Sequence, residues 1–157
     1  MEHIVTEIFN KKLIIVSEGD SIIGIDFDTQ SKFEYYFRNS IENKKSELLI
    51  SVVSQLQEYA KGKRQVFDIK LKPNGTEFQK SVWNEVAKIP YRQTTSYLEI
   101  AKRISRQRSY RAVANAVGKN PITIVIPCHR IIRDNGDLGG YSGGIDIKKL
   151  LLLREMS

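Results

Sequence analysis

The chain of 157 residues has only one cysteine, two histidines and no long apolar run, and each scarcity excludes a class of protein. A single cysteine excludes an internal disulfide framework and fits a reducing interior. One cysteine and two histidines cannot form a common four-ligand zinc site without carboxylates, so we expect no metal. No stretch approaches the ~20 apolar residues of a membrane span, and no charged-then-apolar leader opens the chain. We therefore expect an intracellular protein that does not enter a membrane.

Basic residues are concentrated in the second half. The composition, 41% hydrophobic and 27% charged, is that of a globular protein with enough core for one ordinary domain or two small ones. Residues 1–72 carry 11 Lys/Arg and 11 Asp/Glu, whereas residues 73–157 carry 14 and 7, which is the whole net charge of +7. The second half is expected to prefer a polyanion, although a merely solvated basic surface would give the same count.

The first half has the pattern of a small sheet followed by a helix. The predicted strands, separated by turn residues, are residues 3–9, 13–16 and 22–27. Residues 45–60 carry apolar side chains at the spacing of an amphipathic helix, which Gly62 ends. Residues 66–71 form a weak strand or a linker. The turn-rich segment that follows predicts a border between two domains, residues 1–72 and 73–157.

Two capping sequences predict helices after this border. The Thr-x-x-Gln motif at residues 76–79 opens a helix that Pro90 closes. The Ser-x-x-Glu motif at residues 96–99 opens a second, short helix with its apolar residues inward. Tyr97 then lies in the first turn, near an exposed helix N-terminus, where a half-buried ring without a special role is the alternative.

A third helix completes a helix-turn-helix pattern. After the basic link at residues 103–108, Ser109 is expected to cap a helix over residues 110–117, which Gly118 ends in the left-handed conformation. Two short helices joined by a polar link are typical of helix-turn-helix modules, in which the second helix is the recognition helix. Arg111 would project from its first turn, although a solvated arginine fits the pattern as well.

The lone cysteine, Cys128, directly precedes His129 at the end of an apolar run. Residues 124–126 are β-branched and Pro127 cannot donate to a ladder, so we expect a buried strand that ends at the thiol. A thiol is a strong nucleophile only as the thiolate, and a neighbouring base or positive charge, here His129 and Arg130, is the usual means of forming one. A small buried cysteine beside an exposed histidine is the alternative.

The C-terminal segment supplies a glycine-rich loop and an unusual carboxylate. The loop at residues 138–144 would let backbone amides approach a ligand, and it lacks the lysine of a nucleotide phosphate loop. Asp146 is expected to cap the last helix, in which Glu155 continues an apolar stripe. A carboxylate on an apolar face needs a partner, and His129 is the expected one unless the helix end frays.

These motifs together resemble the active-site signature of the O6-alkylguanine-DNA alkyltransferases. The resemblance covers residues 78–155, while the first half adds little to it. The matching residues are Trp83, Ser96-Tyr97, Arg111-Ala112-Val113, Asn120-Pro121, Pro127-Cys128-His129-Arg130, Gly140-Tyr141-Ser142-Gly143-Gly144 and Glu155. The resemblance implies an α+β fold: a small N-terminal domain with an antiparallel sheet and a helix, ribonuclease H-like, then a mainly helical winged-helix or helix-turn-helix domain.

The resemblance implies a DNA repair protein that works once and needs no cofactor. It would take the alkyl group from O6 of guanine onto Cys128, while His129 draws off the thiol proton through a bound water and Glu155 orients the imidazole. Asn120 would tie the helix-turn-helix to the active-site segment by hydrogen bonds. Tyr97 would crowd the phosphate during nucleotide extrusion and donate to N3 of the departing guanine.

The resemblance also implies a monomer that binds double-stranded DNA containing O6-alkylguanine. The remaining matched positions would have roles in this binding. The positions implied at the DNA surface are Tyr97, Arg111, Ala112 and Asn115. Arg111 would fill the space left by the extruded nucleotide, and Ala114-Asn115 stands where the family more usually has glycines. The positions implied at the guanine pocket are Cys128, Ile131, Tyr141 and Ser142. The amide of Ser142 would face O6, and the carbonyls of Cys128 and Ile131 would accept from the exocyclic amine.

Two other function classes make different predictions. A non-enzymatic sensor of the alkyltransferase-like type would bind the same lesion without repairing it, but such proteins lack the acceptor cysteine that Cys128 supplies. A cysteine hydrolase would release more than one product per protein molecule. The adjacency of Cys128 and His129 in sequence is poor geometry for the direct pair that a hydrolase uses.

Overall fold

The predicted strands of the first half form an antiparallel sheet. The computed structural model describes residues 1–30 and 32–157. Its first three strands are β1 (Glu2–Ile8), β2 (Lys11–Glu18) and β3 (Ser21–Phe27). Phe9 and Asn10 join β1 to β2, and both have positive φ, as a two-residue hairpin turn of this kind requires.

Two short elements between β3 and the predicted helix were not expected from the sequence. They are α1 (Phe33–Asn39) and β4 (Ile41–Glu42), and β4 pairs in parallel with β1 to give the strand order β3-β2-β1-β4. The predicted amphipathic helix follows as α2 (Glu47–Ala60), whose first turn is capped when the Ser46 hydroxyl accepts from the Leu49 N–H. Its apolar side packs on the sheet through residues such as Leu56 and Tyr59.

The edge strand β3 is covered by segments from further along the chain. The weak strand predicted at residues 66–71 is reduced to one bridge, in which the Ile22 N–H donates to the Lys70 carbonyl (2.8 Å) and the Lys72 N–H to the Ile22 carbonyl (2.8 Å). Further along the same edge, the Ile25 N–H donates to the Pro121 carbonyl at 2.9 Å. β3 therefore joins the first half to the segment that leads to Cys128.

The second half is mainly helical, as expected. Its elements are α3 (Glu77–Val86), β5 (Thr95–Ser96), α4 (Tyr97–Arg103), a 3₁₀ turn (Gln107–Ser109), α5 (Tyr110–Gly118), a 3₁₀ turn (Cys128–Arg130), β6 (Ile131–Ile132) and α6 (Ile145–Met156). The capping box is confirmed, because the Thr76 hydroxyl accepts from the Gln79 N–H (3.1 Å) and the Gln79 amide oxygen from the Thr76 N–H (3.0 Å). β5 and β6 pair in parallel.

The two short helices α4 and α5 confirm the helix-turn-helix, and one apolar core joins them to the sheet. The Trp83 indole N–H donates to the Ala116 carbonyl at 2.8 Å and fixes α3 against α5. Leu56, Val113 and Leu151 belong to the same buried cluster, so the core is continuous between the halves. No helix within residues 1–30 and 32–157 has the length and apolar character to cross a membrane.

Several local predictions about helix ends are wrong. Ser109 makes no side-chain cap, because it lies in a 3₁₀ turn that runs directly into α5. Gly118 is the last helical residue and does not have positive φ. The residue before α6 is Gly144 (φ +99°), so Asp146 lies within the first turn instead of capping it. α3 ends at Val86, before Pro90.

The apolar run before the cysteine is buried, as expected, but it is not a strand. Ile124 has a φ of +75°, and the Ile126 N–H donates back to the Ile122 carbonyl at 3.0 Å, so the chain turns here. Positive φ is rare for a β-branched residue, so the surrounding bonds must hold this turn. Cys128 consequently lies at the first residue of a 3₁₀ turn and not at a strand end.

Candidate active site

Cys128 lies in the wall of a large cavity between α5 and the glycine-rich loop. The cavity has a volume of about 820 Å³, and Cys128, which is 5% exposed, is one of the residues that line it. Other lining residues are Tyr97, Ala114, Asn115, Arg133, Tyr141 and Ser142. The thiol is therefore buried but adjoins a space open to a ligand.

Asn120 fixes the segment that carries the thiol. Its side-chain N–H donates to the Ile126 carbonyl (2.7 Å) and to Cys128 Sγ (3.1 Å), and its oxygen accepts from the Ile122 N–H (2.9 Å). Burial raises the pKa of the Cys128 thiol, while the Asn120 hydrogen bond and the nearby Lys148 ammonium oppose that shift. Because Asn120 follows α5 directly, it links the helix-turn-helix to the thiol.

Behind the thiol, His129 and Glu155 form a fully buried pair. His129 Nε2 lies 2.5 Å from Glu155 Oε2, and the two residues are 0% and 1% exposed. The inward orientation predicted for Glu155 is thus confirmed, and α6 continues past it to Met156. Arg130 Nε donates to Glu155 Oε1 at 2.9 Å, and Tyr59 from α2 donates its hydroxyl to Oε2 at 2.5 Å.

The surroundings of this pair set its protonation. Burial alone would raise the pKa of Glu155, but the hydrogen bonds from His129, Arg130 and Tyr59 outweigh it and lower the pKa to about 2. Burial lowers the pKa of His129, although Glu155 opposes that shift, so the imidazole is neutral at pH 7. Since Nε2 faces the carboxylate, Nε2 carries the proton and Nδ1 is the free base. No atom of the described residues makes a hydrogen bond to Nδ1.

Three of the four positions expected at a guanine pocket, Cys128, Tyr141 and Ser142, line this cavity, whereas Ile131 is fully buried and is not among its lining residues. Tyr97 from α4 and Tyr141 from the glycine-rich loop both line the cavity, and burial raises the pKa of both phenols. The carbonyl of Cys128 accepts from the Ile131 N–H, and the carbonyl of Ile131 accepts from Lys148 Nζ at 2.6 Å. Each of these two carbonyls retains a second lone pair for a ligand. Ser142 is exposed at the rim.

Lys148 is a site residue that we did not expect from the sequence. It is fully buried on α6, and its Nζ donates to the carbonyls of Ile131, Leu138 and Gly140, which joins the glycine-rich loop to β6. Burial lowers its pKa to about 8, and the nearby Cys128 opposes that shift. The spacing along the helix could have indicated this position, because Lys148 precedes Glu155 by seven residues and therefore lies on the same face of α6.

The first half contributes contacts that no motif predicted. Gln30 is buried after β3, and its side-chain N–H donates to the hydroxyls of Thr123 (3.2 Å) and Ser142 (3.0 Å). The Thr29 hydroxyl donates to the Gly143 carbonyl at 3.1 Å. Residues of the first half therefore contact the site at two places. Thr29 and Gln30 hold the glycine-rich loop, and Tyr59 holds the Glu155 carboxylate.

Three of the four residues expected to contact DNA lie on the exposed surface of α5, and the fourth, Tyr97, is half-buried at the first residue of α4. Arg111, Ala112 and Asn115 are exposed there, and Asn115 also lines the cavity. Further exposed basic residues nearby in the chain are Arg103, Arg106, Arg108 and Lys119. Through Asn115, the exposed side of α5 adjoins the cavity that Cys128 lines. Within residues 1–30 and 32–157, no three His, Cys, Asp or Glu side chains are grouped so that they could hold a metal ion.

Two family models match the chain along most of its length. Residues 8–73 match the ribonuclease-like domain of 6-O-methylguanine DNA methyltransferase, and residues 77–157 match its DNA binding domain. The chain is 51% identical over 115 residues to a methylated-DNA–protein-cysteine methyltransferase of Methanosarcina mazei, covering 73% of this chain and 72% of that protein. A protein of the same name from Haemophilus influenzae is 40% identical over 147 residues, covering 92% and 80%.

Solved structures agree with these matches. The crystal structure of Mycobacterium tuberculosis OGT in complex with DNA superposes with a TM-score of 0.91 and 34% identity, covering 99% of this chain and 92% of that one. The crystal structure of M. tuberculosis O6-methylguanine methyltransferase gives a TM-score of 0.85 and 35% identity, covering 98% and 90%.

Proposed function

Since the chain belongs to the 6-O-methylguanine DNA methyltransferase family, we propose that it repairs DNA by moving the alkyl group from O6 of guanine onto Cys128, once per molecule. Its relatives carry the name methylated-DNA–protein-cysteine methyltransferase, and a close structural neighbour was solved with DNA. The observation that carries the proposal is a buried thiol at the wall of an open cavity, backed by a buried histidine–carboxylate pair.

The first step activates the thiol. His129 is the base: its free Nδ1 takes the Cys128 proton through a water that lies between them, and Glu155 stabilises the imidazolium that forms. The ionised Glu155 is suited to this role because its low pKa keeps it charged at every working pH. Asn120 donates to Sγ and so stabilises the thiolate as its charge develops.

The second step is the transfer itself. The thiolate attacks the alkyl carbon, an S–C bond forms as the C–O6 bond breaks, and the electron pair stays with the guanine. Tyr97 balances that charge by donating to N3, and the Ser142 amide stabilises O6. The carbonyls of Cys128 and Ile131 hold the exocyclic amine. Because the product is a neutral thioether without a group placed to hydrolyse it, Cys128 is not regenerated.

The alkyl carbon on O6 lies inside a paired duplex, so the nucleotide must first leave the stack at a cost of a few kcal/mol. In the proposed complex, α5 lies against the DNA through Ala112 and Asn115, and Arg111 fills the gap in the duplex. Tyr97, which lines the cavity, crowds the phosphate as the nucleotide turns. The preferred partner is double-stranded DNA that contains O6-alkylguanine.

Three further properties belong to the same proposal. The domain border lies between residues 72 and 73, in the connection between α2 and α3. The protein binds as a monomer and works inside the cell, where a reducing environment keeps Cys128 as a thiol.

Titration with a duplex that carries O6-methylguanine tests the proposal. The amount of repaired lesion should rise with protein and stop at one per molecule, while Cys128→Ala should bind the same duplex and repair none. Continued product formation at a fixed amount of protein would instead support a cysteine hydrolase. Tight binding of the lesion by the wild type without repair would support a lesion sensor.

A further inference from the structure

Tyr59 brings the first half of the chain into the buried network behind the thiol. It lies on α2, its side chain is fully buried, and its hydroxyl donates to Glu155 Oε2 at 2.5 Å. The same oxygen accepts from His129 Nε2 at 2.5 Å, and the Tyr59 hydroxyl lies 3.5 Å from that nitrogen. The phenol and the imidazole therefore share one carboxylate oxygen.

The other donors to Glu155 all come from the second half. Arg130 donates through Nε to Oε1 (2.9 Å) and through Nη2 to Oε2 (3.2 Å), and the Arg92 backbone N–H donates to Oε1 (3.3 Å). Packing holds the Tyr59 ring independently of its hydroxyl, because its centroid lies 5.6 Å from that of Phe67 and 6.3 Å from that of Tyr91. A phenylalanine should therefore keep the ring in place and remove only the hydrogen bond.

We propose that Tyr59 is a positioning residue for alkyl transfer, whose hydroxyl shares the Glu155 carboxylate with His129 and so limits how strongly that carboxylate holds the imidazole proton. This inference rests on the proposed function. Through Tyr59 and Glu155, the N-terminal half would then influence the reaction in addition to packing against the second half.

The charges around the pair fix the direction of the expected effect. The titratable and charged groups that face the His129–Glu155 pair are Tyr59 from α2, Tyr91 from the connection between α3 and β5, Arg130 next to His129, and Lys148 from α6. Burial and the charge of Glu155 raise the pKa of Tyr59 far above its ordinary range, so it donates at every accessible pH. Without this donor, more of the carboxylate charge falls on His129, and the pKa of His129 rises.

The pH dependence of single-turnover transfer separates this role from a purely structural one. In Tyr59→Phe, the acid limb of the transfer rate should move to higher pH by roughly one unit, the size expected for losing a hydrogen bond to a charged group. Tyr36→Phe is the matched control, since Tyr36 is buried in the same half but packs against Gly24, away from the site. Loss of folded protein would lower the rate without moving the limb.

The hydrogen bond from His129 to Glu155 can be measured directly in the same proteins, with His3 as an internal reference. With ¹⁵N-labelled histidine, His129 and His3 give separate imidazole signals, and the Nε2–H signal of His129 should move downfield in Tyr59→Phe while that of His3 stays. Identical profiles and an unmoved His129 signal in Tyr59→Phe and wild type would overturn the inference. Absence of any transfer by the wild type would instead overturn the proposed function.

Discussion

The two sides of Cys128 differ in how deeply their charged side chains are buried and in how they are paired. Behind it, His129, Arg130 and Glu155 are buried, and the carboxylate accepts from several donors at fixed distances. In front of it, the arginines around α5 are exposed. Charged side chains are therefore buried and paired on one side of Cys128 and exposed to solvent on the other.

This difference predicts that stability depends on single groups on the buried side, whereas DNA affinity depends on the sum of many charges on the exposed side. A charge in the low-dielectric interior is costly to leave unpaired, so each charged member of the buried network should be individually essential. Exposed charges interact with DNA through a field that salt screens, so each should contribute a little and be partly replaceable. The following changes test that contrast.

The largest effect should come from breaking the buried network. Glu155→Gln keeps the size of the side chain but leaves Arg130 buried without its counter-charge, and it should cost about 3–5 kcal/mol in the free energy of unfolding and stop alkyl transfer. Urea unfolding and single-turnover assays measure both. In the matched control Glu34→Gln, an exposed pair with Arg38 is lost, and stability should change by less than about 1 kcal/mol. Equal losses in the two variants would remove the contrast.

Acid should remove the contribution of the buried Glu155 carboxylate, whereas the exposed arginines around α5 keep their charge. The pKa of Glu155 is about 2 in the folded protein against an ordinary value of 4.5, so its contribution is complete above pH 4.5 and is lost as pH falls towards 2. The loss should amount to about 3 kcal/mol. Unfolding free energies measured from pH 6 to pH 2 should fall less steeply in Glu155→Gln than in the wild type. Parallel curves would contradict the low pKa.

Arg111 lies on the exposed side but has a proposed single role, so its loss should have an intermediate effect. Arg111→Ala should slow repair of a paired lesion by about 10-fold, because stabilising the extruded nucleotide is worth a few kcal/mol at most. Repair of the same lesion in a single strand should be unchanged, since no gap then needs filling. Arg38→Ala, on α1 at the opposite face of the sheet, is the control. An equal loss on both substrates would mean that Arg111 acts only as a charge.

The smallest effects should come from the other exposed charges. Lys119→Gln or Arg106→Gln should lower DNA affinity a few-fold and reduce the slope of log affinity against log salt by about 1 each, if each contacts one phosphate. Titrations at several salt concentrations give the slope. The transfer rate at saturating DNA should stay at the wild-type value. A changed rate would show that these side chains reach the buried network.

The sequence predicted best what depends on neighbours along the chain. The capping box at Thr76 and the inward stripe ending at Glu155 follow from local spacing, and the structure confirms both. The strand predicted before Cys128 is wrong because burial alone does not distinguish a strand from a turn, and hydrogen bonds hold Ile124 at positive φ.

The contacts that the first half makes with the site could not be predicted for a different reason. Tyr59 meets Glu155 across 96 residues of sequence, and Gln30 meets Ser142 across 112. Neither residue stands out by type or periodicity, since a tyrosine on an apolar helix face and a glutamine after a strand are ordinary. Only the folded chain shows that Gln30 reaches the glycine-rich loop and that Tyr59 reaches the Glu155 carboxylate.

The central claim is that the single cysteine accepts the alkyl group, and peptide mass measurement tests it most directly. After the protein reacts with duplex DNA that carries O6-methylguanine, the peptide containing Cys128 should gain the mass of one methyl group, and every other peptide should keep its mass. An unmodified Cys128 peptide in a sample whose lesion has disappeared would contradict the account.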